Sequence, residues 1–107
     1  MPWTVDLIPQ AEAELIAMPP DIQAHFVRIR RLIIEFGAQE VGMPHVRPLE
    51  GKMWEMRMKG KDGIARAVYV AQSGQRLIVL HVFSKTTQTT PRKAIETARA
   101  RLKRITI

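Results

Sequence analysis

Apolar residues recur along this chain first with a helical period and then with a two-residue one. Residues 3 to 8, Trp3-Thr4-Val5-Asp6-Leu7-Ile8, alternate loosely and predict a short strand. Ala11, Leu15 and Met18 then fall on one face of a short helix over 10–18. Pro19 and Pro20 end that helix, and Pro20 suits the first turn of the next, where a missing N–H costs no intrahelical bond. In the second helix Ile22, Phe26, Ile29, Ile33 and Phe36 recur at steps of three and four residues, and Gly37 is a natural stop. Two helices meeting at a Pro-Pro corner make a helical hairpin.

Beyond residue 37 the period changes. Ala38 to Pro44 reads as a loop with a helical turn, and Arg47-Pro48-Leu49-Glu50 leads to a turn at Gly51-Lys52. From Met53 to Lys59 the chain alternates, with Trp54, Met56 and Met58 facing one way and Glu55, Arg57 and Lys59 the other. Lys59-Gly60-Lys61-Asp62-Gly63 predicts a hairpin loop, Ile64 to Ala71 the next strand, and Arg76 to Phe83 the last, after a turn at Gln72-Ser73-Gly74-Gln75. Thr90 can cap a closing helix with Pro91 at its first position. Ile95, Ala98, Leu102 and Ile105 line one side of it, while Arg92, Arg99, Arg101, Lys103 and Arg104 lie largely elsewhere. The order β-α-α-β-β-β-α predicts an α+β fold, an antiparallel sheet packed by a helical hairpin and a C-terminal helix, in a single domain over residues 1–107.

Composition narrows the function classes. The chain has no cysteine, so disulfide and thiolate chemistry are excluded. No apolar run approaches the roughly 18–20 residues that span a bilayer, and no basic-then-apolar leader opens the chain, so a cytosolic protein is expected. Seventeen Lys and Arg against ten Asp and Glu give a net charge of +7. Such a domain attracts polyanions, nucleic acid first among them, then acidic protein segments and anionic membranes. The cations are spread over several elements, including Arg28, Arg30 and Arg31 on the second helix, which fits a large irregular polyanion better than one small ligand.

Arg57 and Arg66 stand out because each interrupts a half-apolar strand. If the hairpin register sets Arg57 opposite Arg66, both share a sheet face with Glu55, a plausible site for a phosphodiester. A one-residue slip would put Arg66 opposite Met56 on the core side, where an unpaired guanidinium is expensive, so the first register is expected. The plainer reading is that these are solvated strand charges. His81 sits in an apolar strand, where a hydrogen-bonded core role competes with a catalytic one. Lys85 follows that strand near the start of the closing helix, whose N–H groups favour anions. No spacing among His25, His45 and His81 suggests a metal site, and no cofactor is expected.

Leu49, Trp54-Glu55-Met56-Arg57, Gly63-Ile64-Ala65-Arg66, and Leu80-His81-Val82-Phe83-Ser84-Lys85 through Pro91, in this order and at these spacings, resemble the signature of the RelE/ParE toxin superfamily, in its HigB-like, phage-associated branch. The resemblance extends over nearly the whole chain. It implies a RelE-like fold and the toxin half of a type II toxin–antitoxin pair. Such toxins are metal-independent endoribonucleases that cleave mRNA, often on the ribosome, and a cognate antitoxin, usually a helix-turn-helix protein in this branch, neutralises them. No membrane and no small-molecule substrate are implied. The positions matching implicated residues are Arg57, Arg66 and Lys85; His81 and Gln88 match signature positions. RNA contacts are expected from Lys59, Lys61, Thr86, Gln88 and Lys93. Where the family usually carries Lys beside and just after Lys85, this chain has Thr86 and Thr89, and Val82 replaces a common Gly. Fewer loop cations weaken phosphate binding.

RNA cleavage without a metal needs an activated 2′-OH, a stabilised phosphorane charge and a protonated leaving oxygen. Arg57 and Arg66 suit the charge, and Lys85, Glu55 or His81 the base. Two other readings stay open: a non-enzymatic, gyrase-directed toxin of the same superfamily, and an inactive RNA-binding or interaction module.

Overall fold

The structure, a computed structural model, describes residues 3–37, 41, 46–85 (the backbone only at 85) and 90–105. Its elements run β1 (Thr4–Leu7), α1 (Pro9–Ile16), α2 (Pro20–Phe36), β2 (Val46–Glu50), β3 (Met53–Gly60), β4 (Gly63–Gln72), β5 (Arg76–Lys85) and α3 (Arg92–Ile105). The α+β class and the helical hairpin are as the periodicity predicts. Both helices of the hairpin start on a proline in the first turn. In α2 the buried residues are Ile22, Phe26, Ile29 and Ile33, one stripe at alternating four- and three-residue steps. The helix ends at Gly37, whose φ of +91° only glycine adopts cheaply. A Cβ there would also lie 3.0 Å from the indole Nε1 of Trp3.

The sheet has five strands in the order β1-β5-β4-β3-β2. It differs from expectation in two ways. An extra strand, β2, pairs with β3, Arg47 opposite Glu55 and Pro48 opposite Trp54, before an irregularity between Pro48 and Glu50. Pro48 argues against a strand in sequence, yet proline is tolerated at a sheet edge, and β2 is one. The sheet is also mixed, because β1 runs parallel to β5, with Val5 in register with Leu77. The predicted helical turn within residues 38–44 falls almost wholly outside the described residues.

Alternation along the strands separates two cores. Met56, Met58, Ala65, Ala67, Tyr69, Leu77 and Val79 meet α1 and α2 on one face. Met53, Val68, Val70, Ile78 and Leu80 meet Ala98, Ile95 and Leu102 of α3 on the other. The central strand β4 is buried without a break from Ala65 to Val70, as a strand covered on both faces must be. A register shift in β5, where Val68 faces His81 but Tyr69 faces Val79, reverses the side-chain parity. Val82 therefore joins the hairpin-side core, while Phe83 packs with the α3-side one.

Candidate functional site

The β3–β4 register sets Arg57 opposite Arg66, Met56 opposite Ala67 and Glu55 opposite Val68, the register expected from the sequence. Glu55, Arg57 and Arg66 thus share the α3 face of the sheet. Their environments differ sharply. Arg57 is exposed and its side chain makes no ion pair or hydrogen bond among the described residues. Arg66 is 5% exposed and Glu55 1%. The sequence argument against burying Arg66 holds only for an unpaired guanidinium; here its Nη1 donates to Glu55 Oε1.

Glu55 is the hub of a four-residue cluster. Arg47 Nε, from the edge strand β2, donates to the same Oε1, and the Thr90 hydroxyl donates to Oε2 at 2.7 Å. Burial alone would raise the Glu55 carboxyl, but the bonds from Thr90 and Arg47 and the charges of Arg66 and Arg47 outweigh it, so its pKa lies below the ordinary carboxylate value. Three donors therefore converge on one buried carboxylate, tying β2, β3, β4 and the entry to α3 together. The Nε of Arg66 is buried without a partner among the described residues. Thr90, expected from sequence to cap α3, donates its hydroxyl proton to Glu55. A cap would use the hydroxyl oxygen as acceptor, and among the described residues no α3 N–H donates to it. Sequence reasoning missed Arg47 and Thr90 as members of this cluster. The signal for Arg47 was the strand it sits on, which Pro48 disguised.

His81 belongs to a second cluster, at the edge of β5 beyond the end of β1. Its Nδ1 lies 2.9 Å from Glu14 Oε1 and 3.2 Å from Arg101 Nη1, and its ring stacks on Phe83 at 5.0 Å. Glu14, from α1, also accepts the Val82 N–H at 3.0 Å and both nitrogens of the Arg101 fork, at 2.8 and 3.1 Å. Burial pushes the Glu14 carboxyl up, but the bonds from Arg101, Val82 and His81 pull it further down. Arg101 also donates to the Leu80 carbonyl, so the cluster occupies edge groups of β5 that no strand covers. Neither Glu14 nor Arg101 was singled out in the sequence, because they join from helices far apart in the chain.

The other expected residues are dispersed. The Lys59 N–H donates to His25 Nδ1 at 2.7 Å and the Lys61 N–H to Asp21, which docks the β3–β4 hairpin on α2; both lysine side chains are exposed. Lys93 is exposed in the first turn of α3. Lys85 pairs in register with Ile64 at the end of β5. Its side chain, and Thr86 and Gln88, lie outside the described residues. Among the described residues no group of three or more His, Asp or Glu side chains is placed to hold a metal ion, and no helix is long and apolar enough to cross a membrane.

The chain resembles several solved structures in fold. One is the toxin–antitoxin complex RelBE2 from Mycobacterium tuberculosis, at 20% identity and a TM-score of 0.57, covering 81% of this chain and 95% of that one. A second is a double arginine-to-alanine mutant of the E. coli toxin RelE in the free state, at 15% identity and a TM-score of 0.63, covering 98% and 99%. A third is the archaeal RelE–RelB complex from Pyrococcus horikoshii, at 19% identity and a TM-score of 0.59, covering 78% and 96%. The fold is RelE-like. No curated protein matches the chain. Residues 13–103 match the family described as phage derived protein Gp49-like (DUF891), and the chain belongs to that family.

Proposed function

We propose that this chain is the toxin of a type II toxin–antitoxin pair, of the HigB-like branch, and that it cleaves mRNA in the cytoplasm, on the ribosome, without a metal. The observation that carries this reading is Arg57: a solvated guanidinium with no partner among the described residues, directly opposite an arginine held rigid by a buried carboxylate. The RelE-like fold supports the same class, and two of the similar structures are complexes of such a toxin with its antitoxin, which supports an antitoxin as partner here.

In this reading Arg57 contacts the scissile phosphate and stabilises the charge that develops as the 2′-oxygen attacks. Removing one donor of this kind typically costs about 2.7–4 kcal/mol in the barrier. Arg66 adds a second positive group behind it, its orientation fixed by Glu55. Glu55 itself is a positioning residue, because its two oxygens already accept three donors and its pKa is depressed, both of which disfavour proton abstraction. His81 is engaged by Glu14, which leaves Lys85 as the base. With the ribosome holding the substrate in line, orientation supplies much of the rate. Lys59, Lys61, Thr86, Gln88 and Lys93 serve as backbone contacts.

The test is induction of the chain alone and together with its neighbouring gene. Growth arrest that Arg57→Ala relieves, and that co-expression of the neighbour suppresses, is the expected result. Unimpaired growth on induction of the soluble protein would overturn the toxin reading.

A further inference from the structure

At the far end of the α3 face lies an open groove of about 610 Å³, between the last turns of α3 and the ends of β3 and β4. That volume is in the range of small-ligand sites, roughly 300–1,000 Å³, and admits a nucleotide. Lys52 and Lys103 contribute from opposite sides, both exposed and neither in an ion pair among the described residues. Arg99 also lines the groove, but its guanidinium is neutralised by Glu50. Half-buried Leu102 supplies apolar surface against which a base or ribose can lie, and Gln72 and Ser73 offer polar groups at the rim. No carboxylate lines it. Apolar surface flanked by two unpaired ammonium groups suits a phosphodiester chain carrying bases.

Its position strengthens that assignment. Val70 is in register with Met53, four residues before Arg57 on the same strand and the same face. At about 3.3 Å per residue the two points are roughly 13 Å apart. Four stacked nucleotides cover that span at ~3.4 Å each, and fewer do so if the strand is extended. Arg47 lies between, 40% exposed, with Arg92 on the facing helix. Both are ion-paired, Arg47 with Glu55 and Arg92 with Glu50 and Glu96, so the unpaired charge along the seam is that of Arg57, Lys52 and Lys103 among the described residues. We propose that the groove is a second backbone subsite for single-stranded RNA, in which Lys52 and Lys103 hold phosphates several nucleotides from the one at Arg57. The choice of RNA rests on the function proposed above; the site itself is testable apart from cleavage.

The probe is a fluorescent 2′-O-methyl RNA of about twelve nucleotides, which cannot be cut by 2′-oxygen attack, titrated by anisotropy between about 50 and 200 mM salt. Each single-strand phosphate contact contributes about −0.7 to the slope of log K against log salt, so Lys52→Ala/Lys103→Ala should reduce its magnitude by about 1.4 and Arg57→Ala by about 0.7. Arg28→Ala/Arg31→Ala removes the same charge from exposed positions on α2, across the sheet, and should leave the slope unchanged. Equal effects from the two double variants would show that only net charge matters and overturn the subsite. So would an unchanged slope in the Lys52/Lys103 variant, or a loss of binding to an acidic antitoxin segment with RNA binding intact. RNA binding with the expected slopes but no cut transcripts in cells would instead refute the nuclease and leave the groove standing.

Discussion

Replacing Glu55 by alanine is expected to destabilise the fold by about 3–5 kcal/mol, the usual cost of removing one partner from a buried ion pair. The estimate follows from what the side chain leaves behind. Arg66, 5% exposed, keeps its charge but loses its counter-ion, and its Nε already lacks a partner among the described residues. Thr90, 7% exposed, loses the acceptor of its hydroxyl. An unsatisfied buried group costs about 1–3 kcal/mol, but this overlaps with the first term because both refer to the same cavity. The Arg47 contact adds little, since that side chain is 40% exposed and solvent screens it. For a chain of 107 residues, 3–5 kcal/mol corresponds to a fall in Tm of about 13–22 °C. Differential scanning calorimetry and urea unfolding measure it directly. The double variant Glu55→Leu/Arg66→Met removes both charges and should recover most of the loss, as replacing a whole buried pair by apolar residues often does. A single-variant cost below about 1 kcal/mol, or no recovery in the double variant, would refute the account of Glu55 as the hub.

Acid titration supplies a second check. Glu55 and Glu14 both have folded-state pKa values below the ordinary 4.5, so between the two values the unfolded chain binds more protons. Their contribution is therefore full above about 4.5 and disappears as pH falls through the depressed folded values; the wild type should lose stability below pH 4.5 more steeply than Glu55→Gln, and parallel curves would contradict this. Gly37→Ala should cost about 1–3 kcal/mol in urea unfolding, because its φ is unfavourable for an L-residue and the new Cβ meets Trp3; a change within about 0.5 kcal/mol would show that the turn relaxes.

Much of the arrangement is legible in the sequence because it is local. The 3–4 spacing of Ile22, Phe26, Ile29 and Ile33 specifies the buried stripe of α2. The Arg57–Arg66 register agrees with expectation, although Arg66 is buried rather than solvated. What remained hidden is non-local or disguised. Pro48 masked β2, and with it the reach of Arg47 to Glu55. The parallel pairing of β1 with β5 joins segments some seventy positions apart, and no short-range pattern encodes it. Thr90 is a good helix cap by residue type, but its bond to Glu55, 35 positions away in the chain, is non-local and no local pattern signals it. The cost of a buried arginine applies to an unpaired charge; Arg66 is buried yet paired, because Glu55 lies on the neighbouring strand, on the same face.

The most direct test of the central claim is to map transcript ends after induction of the wild type and of Arg57→Ala. Attack by the 2′-oxygen leaves a 2′,3′-cyclic phosphate on one fragment and a 5′-hydroxyl on the other. Abundant new 5′-hydroxyl ends in the wild type, reduced about 10²–10³-fold by Arg57→Ala with its fold intact, are the predicted result. Growth arrest with intact transcripts would contradict it and point to a toxin that acts by binding alone.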